Sequence, residues 1–305
     1  ATLFLAEPTK SNAAPSICKV VALALPTTMC RGRPATVDSN TSPDFTTWDD
    51  NNLYWRTAPS DLLQGEVLGN LIAEDGHETP GITYLNDAHC TGLEKALTEN
   101  FEAAGGEVVA SQTYNATDTT FDAQVSAVMA ANPDAIAVIG FVETSTIVPA
   151  VVAQGFDGAN FYFVDGNTSQ WGADMPVSIE GSKGTQPGPV LEDDFIDRLN
   201  EWWTGEGNEE LADLNYAAES YDAVVLLALA ALAANSNDPA DIAANLQAVS
   251  GGSGDGEKCT TFAECADIIL DGGTADYDGA SGPITFDENG DPTEASIGVF
   301  EYGAD

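Results

Sequence analysis

Asp165 stands directly after the apolar run Phe161–Val164 and directly before Gly166. A carboxylate leaving a buried strand at that point projects past the strand's end, where it would neutralise an ammonium through charge-assisted hydrogen bonds. An N-cap or a solvated acid is the competing reading in so acidic a chain. Phe141, which follows Ala135–Gly140, offers an apolar wall for a ligand side chain, against ordinary packing beneath the strand ends. Thr41 and Ser42, ahead of Pro43, present hydroxyl and N–H groups suited to a carboxylate. Thr-Ser-Pro is also a common turn start.

The elements that would position these residues alternate from Gly65 onward. A helical stripe of Leu68, Leu71 and Ile72 is followed by an expected strand Gly81–Tyr84, then a helix over Gly92–Ala103 ending at Gly105-Gly106. Glu107–Ala110 is β-like, and Asp118 is a plausible N-cap for the helix carrying Phe121, Val125, Val128 and Met129. Asn132-Pro133 stops that helix. Ala135–Ile139 is a strand, Thr144 or Ser145 can cap a helix through Gln154, and Phe161–Val164 is a further strand. Strands joined by helices predict an α/β lobe with a parallel sheet, whose carboxyl-end rim is where ligands bind. After Gly181, Gly184–Pro189 resembles a linker, and helices are expected over Asp193–Trp203, Leu214–Asn235 and Asp238–Val249. Ile284–Phe286 and Ile297–Phe300 read as strands around the acidic turn Asp287–Asp291, where Asn289-Gly290 fits a hairpin better than a calcium loop.

The chain has 305 residues, 43% of them hydrophobic, with 49 acids against 9 bases and a net charge of −40. Plentiful, periodic apolar residues argue against disorder. Dispersal of the acids argues against an acidic tail for cationic partners, and the lack of a basic footprint argues against nucleic acid. Adaptation to very high salt fits best, since molar salt shortens the Debye length to ~3 Å and screens self-repulsion. Residues 1–37 carry +3 and residues 38–305 carry −43. The basic start suggests the n-region of a secretory signal, but the apolar run Val20–Leu25 is short and Pro26 interrupts it. A shifted reading frame or a truncated gene would also produce such a start. The longest apolar run, Ala223–Ala234, is short for a membrane span of ~20 residues and reads as a helix buried on most faces.

There is no Gly-x-Ser-x-Gly elbow, His-Glu-x-x-His, phosphate loop or dinucleotide fingerprint. Catalysis therefore has weak support, and no cofactor is expected. Cys259 and Cys265 are separated by five residues, which favours a small-loop disulfide in an exported protein over zinc; no metal site is expected. Cys90 is either a small buried hydrophobe or, with His89, a reactive pair. Of the sequons at Asn40, Asn115 and Asn167, only Asn115 reads as a surface acceptor.

A family resemblance spans residues 38–305. Asn40-Thr-Ser-Pro43, Tyr54-Trp-Arg-Thr57 with Asp61, Tyr84–Leu93, Gly105-Gly-Glu-Val-Val109, Phe121-Asp-Ala-Gln-Val125, Tyr221-Asp-Ala-Val224 and Ile284–Gly290 follow one another in order. They resemble successive landmarks of the branched-chain amino-acid-binding proteins, the type I solute receptors of ABC importers. The resemblance implies a type I periplasmic-binding-protein fold of two Rossmann-like α/β lobes with parallel sheets, closing by hinge motion. Residues 1–37 would be an atypical start, and 38–61 with 186–284 a partial amino-terminal lobe lacking its first βαβ portion. Residues 62–185 with 294–305 would form the carboxy-terminal lobe, and 285–293 an acidic hairpin near the hinge. By position, Thr41 matches a ligand-carboxylate contact with Ser39 and Asn40 beside it, Phe141 a cleft aromatic that is usually Tyr, and Asp165 the acid that binds the ligand ammonium. His89-Cys90 replaces the family's Tyr-Gly, turning an aromatic ligand wall into an imidazole.

What this implies is not an enzyme but a receptor subunit outside the cell or on its surface, binding an amino acid or small amide and working with a membrane permease. A ligand-sensing receptor domain and a remnant without binding activity are the alternatives. The charge balance generates its own test. Lowering KCl from molar to about 0.1 M should lower the thermal midpoint, measured by circular dichroism, as screening is lost.

Overall fold

The computed structural model describes residues 35–37 and 39–303; the expectations for the basic start at 1–34 lie outside the described residues. Two compact units emerge. One contains the segment ending at Asn40, Thr46–Ala58 and Leu191–Ala295; the other contains Thr41–Phe45, Pro59–Val190 and the chain from Ser296. Thr41–Phe45, expected with residues 38–61, packs instead with the second unit.

In chain order the elements are β1 (Ala35–Val37), β2 (Tyr54–Arg56), α1 (Asp61–Glu74), β3 (Gly81–Leu85), α2 (Ala88–Ala103), β4 (Ala110–Tyr114), α3 (Asp122–Ala130), β5 (Ile136–Ile139), α4 (Thr144–Val152) and β6 (Phe161–Phe163). They continue with β7 (Lys183–Pro187), α5 (Asp193–Gly205), α6 (Ala217–Ala234), α7 (Pro239–Val249), β8 (Glu257–Cys259), α8 (Phe262–Leu270), β9 (Ala275–Gly279), β10 (Gly282–Pro283) and β11 (Ile297–Glu301).

The second unit is built on one six-stranded sheet in the order β11-β7-β6-β5-β3-β4. Strands β3 to β7 are mutually parallel and β11 is antiparallel at the edge. Ile82, Ile136, Val138, Phe161 and Phe163 are fully buried, as continuous apolar strands in a parallel sheet covered on both faces should be. Two strands differ from expectation. β4 begins at Ala110 rather than Glu107, and its polar run Ser111–Thr113 alternates in exposure along the sheet edge. β7 occupies the stretch taken for a linker: its Gly and Pro content signals a turn locally, but pairing with β6 and β11 on either side overrides that signal.

Helix α2 starts earlier than periodicity suggests, because the Asp87 carboxylate accepts from the Cys90 N–H at 2.7 Å and caps it. Asp118 does not cap α3, which begins at Asp122; its carboxylate accepts from the Asn115 N–H instead. Helices α1 and α2 run side by side through small residues. A Cβ on Gly65 would lie 2.5 Å from the Ala96 Cβ and 2.8 Å from the Leu97 nitrogen, and one on Gly69 would lie 2.8 Å from the Leu97 carbonyl oxygen. These contacts advance together along both helices, so their first turns lie beside each other.

The first unit packs its helices over short strands: β1 pairs with β2, and β10-β9-β8 form a second small sheet. α6 is 18 residues long with a mean hydropathy of 1.6, enough by length and composition to cross a membrane. Here it buries one stripe, from Ala218 to Ala230, rather than most faces. Asp222 in that stripe is fully buried, accepting from the Tyr277 hydroxyl (2.6 Å), the Ala280 and Ser281 N–H groups (3.0 and 2.7 Å) and the Ser281 hydroxyl (2.6 Å). Burial holds its carboxyl above the usual range. α8 starts at a Thr-x-x-Glu box, with Thr261 accepting from the Glu264 N–H. Cys259 in β8 is bonded to Cys265 in α8. Ile284–Phe286 is not a strand, since Thr285 takes a positive φ of 41°; β9 and β10 form the antiparallel pair instead. Asp287–Gly290 is closed by the Gly290 N–H to Asp287 carbonyl bond, with Phe286 bridging Pro292.

The α1–α2 seam is testable. Gly65→Ala gains about 1 kcal/mol of helix propensity, but its methyl meets backbone that cannot yield, at a cost of about 1–3 kcal/mol. The net expectation is a lower urea midpoint in molar KCl.

Candidate functional site

The carboxyl ends of β3, β5 and β6 gather the polar side chains of the second unit. From β3 the chain passes through Asp87 into α2, whose second residue is His89. From β5 it passes to Phe141, and from β6 to Asp165. α1 brings Asp61 to the same place, and the Asp61 N–H donates to the Thr41 carbonyl at 2.8 Å.

His89 is the centre of this group. Its Nδ1 lies 3.0 Å from each Asp61 carboxylate oxygen and 3.0 Å from the Thr41 hydroxyl. Its Nε2 lies 3.7 Å from Asp165 Oδ1, an ion-pair distance rather than a hydrogen bond. The side chain of Asp61 is fully buried, that of Asp165 is 9% exposed and that of His89 is 18% exposed. Burial by itself would strip the imidazole of its proton, but the hydrogen bond it donates to Asp61 and the charges of Asp165 and Asp61 outweigh it and raise the His89 pKa to about 9. For Asp61 burial raises the carboxyl, with the His89 hydrogen bond opposing. At neutral pH the raised pKa keeps the imidazole protonated beside the Asp61 and Asp165 side chains.

Asp165 is held in place from behind. Gln64 Nε2 donates to Asp165 Oδ1 at 3.1 Å and to the Thr185 carbonyl at 3.0 Å. Gln64 Oε1 is buried and has no hydrogen-bond partner among the described residues. Buried Asn167 ties the loop down: its carbonyl accepts from the Val164 N–H at 2.8 Å, and its amide donates to the Val138 carbonyl (2.8 Å) and the Thr144 hydroxyl (2.9 Å). That role accounts for Asn167 without glycosylation. Phe141 is 37% exposed, its ring centroid 6.0 Å from that of His89. The Phe141 N–H donates to Glu143 Oε1 at 3.1 Å, and the Tyr114 hydroxyl donates to the same oxygen at 2.7 Å.

Four of the residues singled out in the sequence, Thr41, His89, Phe141 and Asp165, therefore share one rim. Ser39 and Asn40 belong to the first unit, where Ser39 is exposed and the Asn40 carbonyl accepts from the Tyr54 hydroxyl (3.1 Å) and Arg56 (3.3 Å). Asp61 and Gln64 were not anticipated as site residues. Asp61 occupies the first turn of α1 behind the Ser60 N-cap, where an acid ordinarily serves only the helix dipole. Cys90 points into the core and is fully buried, and burial pushes its thiol upward, away from the thiolate that a nucleophile needs. Among the described residues no group of three or more His, Cys, Asp or Glu side chains is arranged to hold a metal.

A family described as the receptor family ligand binding region matches residues 7–305. The chain belongs to this family. It is 26% identical over 257 residues to BasB, a chemotactic signal transduction system substrate-binding protein of Halobacterium salinarum, covering 81% of this chain and 58% of that protein. The chain thus spans less than two thirds of that relative's length. Among solved structures, the leucine-binding protein LivK of Thermotoga maritima superposes with a TM-score of 0.69 at 22% identity, covering 88% of this chain and 70% of that one. LivJ of Streptococcus pneumoniae, in complex with isoleucine, gives 0.65 at 20% identity, covering 89% and 70%. The fold of this family member is the type I periplasmic-binding-protein fold.

The Asp61–His89 pair has a measurable signature. A raised histidine pKa contributes stability that is complete below the ordinary value of 6.5 and is lost as pH rises towards about 9. NMR titration of the imidazole should place the His89 midpoint near 9, and Asp61→Asn should move it down towards 6.5.

Proposed function

We propose that this chain is the exported solute-binding subunit of an ABC importer, holding an amino acid at the rim of its parallel sheet. The observation that carries the reading is the surplus negative charge at that rim. Asp61 and Asp165 both lie within ion-pair distance of the one imidazole, so the rim favours a ligand that carries a cation and disfavours one that is only an anion. A ligand ammonium meets Asp165, the half-exposed Phe141 ring lies against an apolar side chain, and the Thr41 segment faces the ligand carboxylate. Branched-chain amino acids combine these features, and LivJ, of the same fold, was solved with isoleucine. The Cys259–Cys265 bond suits an oxidising compartment outside the cell, and the net charge of −40 suits a salt-loving source. The partner would be a membrane permease.

A second reading has its own support. BasB is a substrate-binding protein of a chemotactic system, so the same ligand chemistry can serve a signalling receptor rather than import. Capture of the membrane partner with the ligand-loaded chain separates the two: a permease supports import and a transducer supports sensing.

Calorimetry of the refolded chain in molar KCl with leucine, isoleucine and valine tests the ligand class, with benzoate as an acid that lacks an ammonium. Binding of the amino acids and not of benzoate is expected. Asp165→Asn should weaken it roughly 10- to 100-fold, the worth of one charge-assisted hydrogen bond. Absence of amino-acid binding sinks the reading.

A further inference from the structure

The two nitrogens of His89 have different surroundings. Nδ1 is committed to Asp61 at the start of α1, with the Thr41 hydroxyl alongside. Nε2 faces Asp165, from the loop after β6, at 3.7 Å. Asp87 acts on the ring from the N-cap of its own helix, and Phe141, after β5, covers one side of it. Two acidic side chains therefore lie against the imidazole, and a third acts on it from farther off. The pairing with Asp61 is short and buried, whereas the pairing with Asp165 is longer and borders solvent.

We propose that His89 determines which ligands this site accepts: its imidazolium holds Asp165 as a built-in cation, and a ligand ammonium takes that carboxylate by expelling the Nε2 proton. The inference rests on the reading that a ligand ammonium meets Asp165. The Nε2–H bond breaks, its proton goes to solvent, and the electron pair left on Nε2 accepts an N–H from the ammonium. Nδ1 keeps its proton on Asp61. The ligand's ammonium takes the place, beside Asp165, of the positive charge lost from the ring, while its carboxylate lies apart from that exchange. An acid without an ammonium cannot drive the exchange, because it would leave a second carboxylate uncompensated. Selection then lies in the swap of one cation for another, not in the shape of an aromatic wall.

Because free His89 stays protonated up to about pH 9, affinity should rise about tenfold per pH unit between the midpoints of the loaded and free forms. Proton release can be counted directly by titrating leucine, isoleucine or valine into the chain at pH 7 in buffers of different ionisation enthalpy. About one proton released per ligand is expected, falling to about zero in His89→Gln, with affinity rising from pH 6.5 to 8.5 in the unmutated chain alone. Binding without proton release, or release that persists in His89→Gln, overturns the role of His89 and leaves the amino-acid reading standing. No binding at any pH defeats both. The proton count on the unmutated chain decides the matter even if the variant fails to fold.

Discussion

Scarcity of positive charge is the constraint from which this structure follows. Residues 38–305 hold 48 acids and five bases, and each base is already engaged. Arg56 forms a two-point pair with Asp291, Lys183 meets Asp75, Lys258 meets Asp276 and Asp278, and Lys95 meets Glu99. Arg198 lies over the rings of Phe195 and Tyr221. When two carboxylates are brought together at the rim of the sheet, the cation between them is a histidine. Asp61 is fully buried, and an uncompensated buried carboxylate would be costly, so the fold and the protonation of His89 depend on each other.

This interaction joins four separate pieces of chain: the Thr41 segment, the start of α1, the start of α2 and the loop after β6. Gly65 and Gly69 let α1 and α2 approach closely enough for Asp61 and His89 to meet. Gln64, one turn into α1, fixes Asp165 from behind, and Asn167 locks the loop that carries it. The rim is therefore organised from below by packing and from within by charge.

Much of the second unit is legible in sequence, for a physical reason. Ala135–Ile139 and Phe161–Val164 are buried on both faces, so each is a continuous apolar run that marks itself. Phe141 and Asp165 then stand out as the first residues beyond those runs. Edge and crossing elements were harder. β4 and β7 carry Ser, Gln, Thr, Gly and Pro, whose local preferences favour turns, and they become strands because neighbouring strands satisfy their backbone. Thr285 interrupts an apolar stretch with a left-handed backbone that composition does not announce.

The sequence by itself determined the α/β alternation, the parallel sheet and the residues at its carboxyl rim, because these depend on local periodicity and on the direction every parallel strand shares. It also determined the acidity. Only the tertiary structure decided that Thr41 joins His89, that Cys90 is buried in the core, and that Asp61 and Asp222 are, among the described residues, the acids with no exposed surface. Those outcomes depend on which helices touch and how closely. A carboxylate's partner and protonation are properties of its surroundings, and in a chain with 49 acids its identity alone singles out none of them.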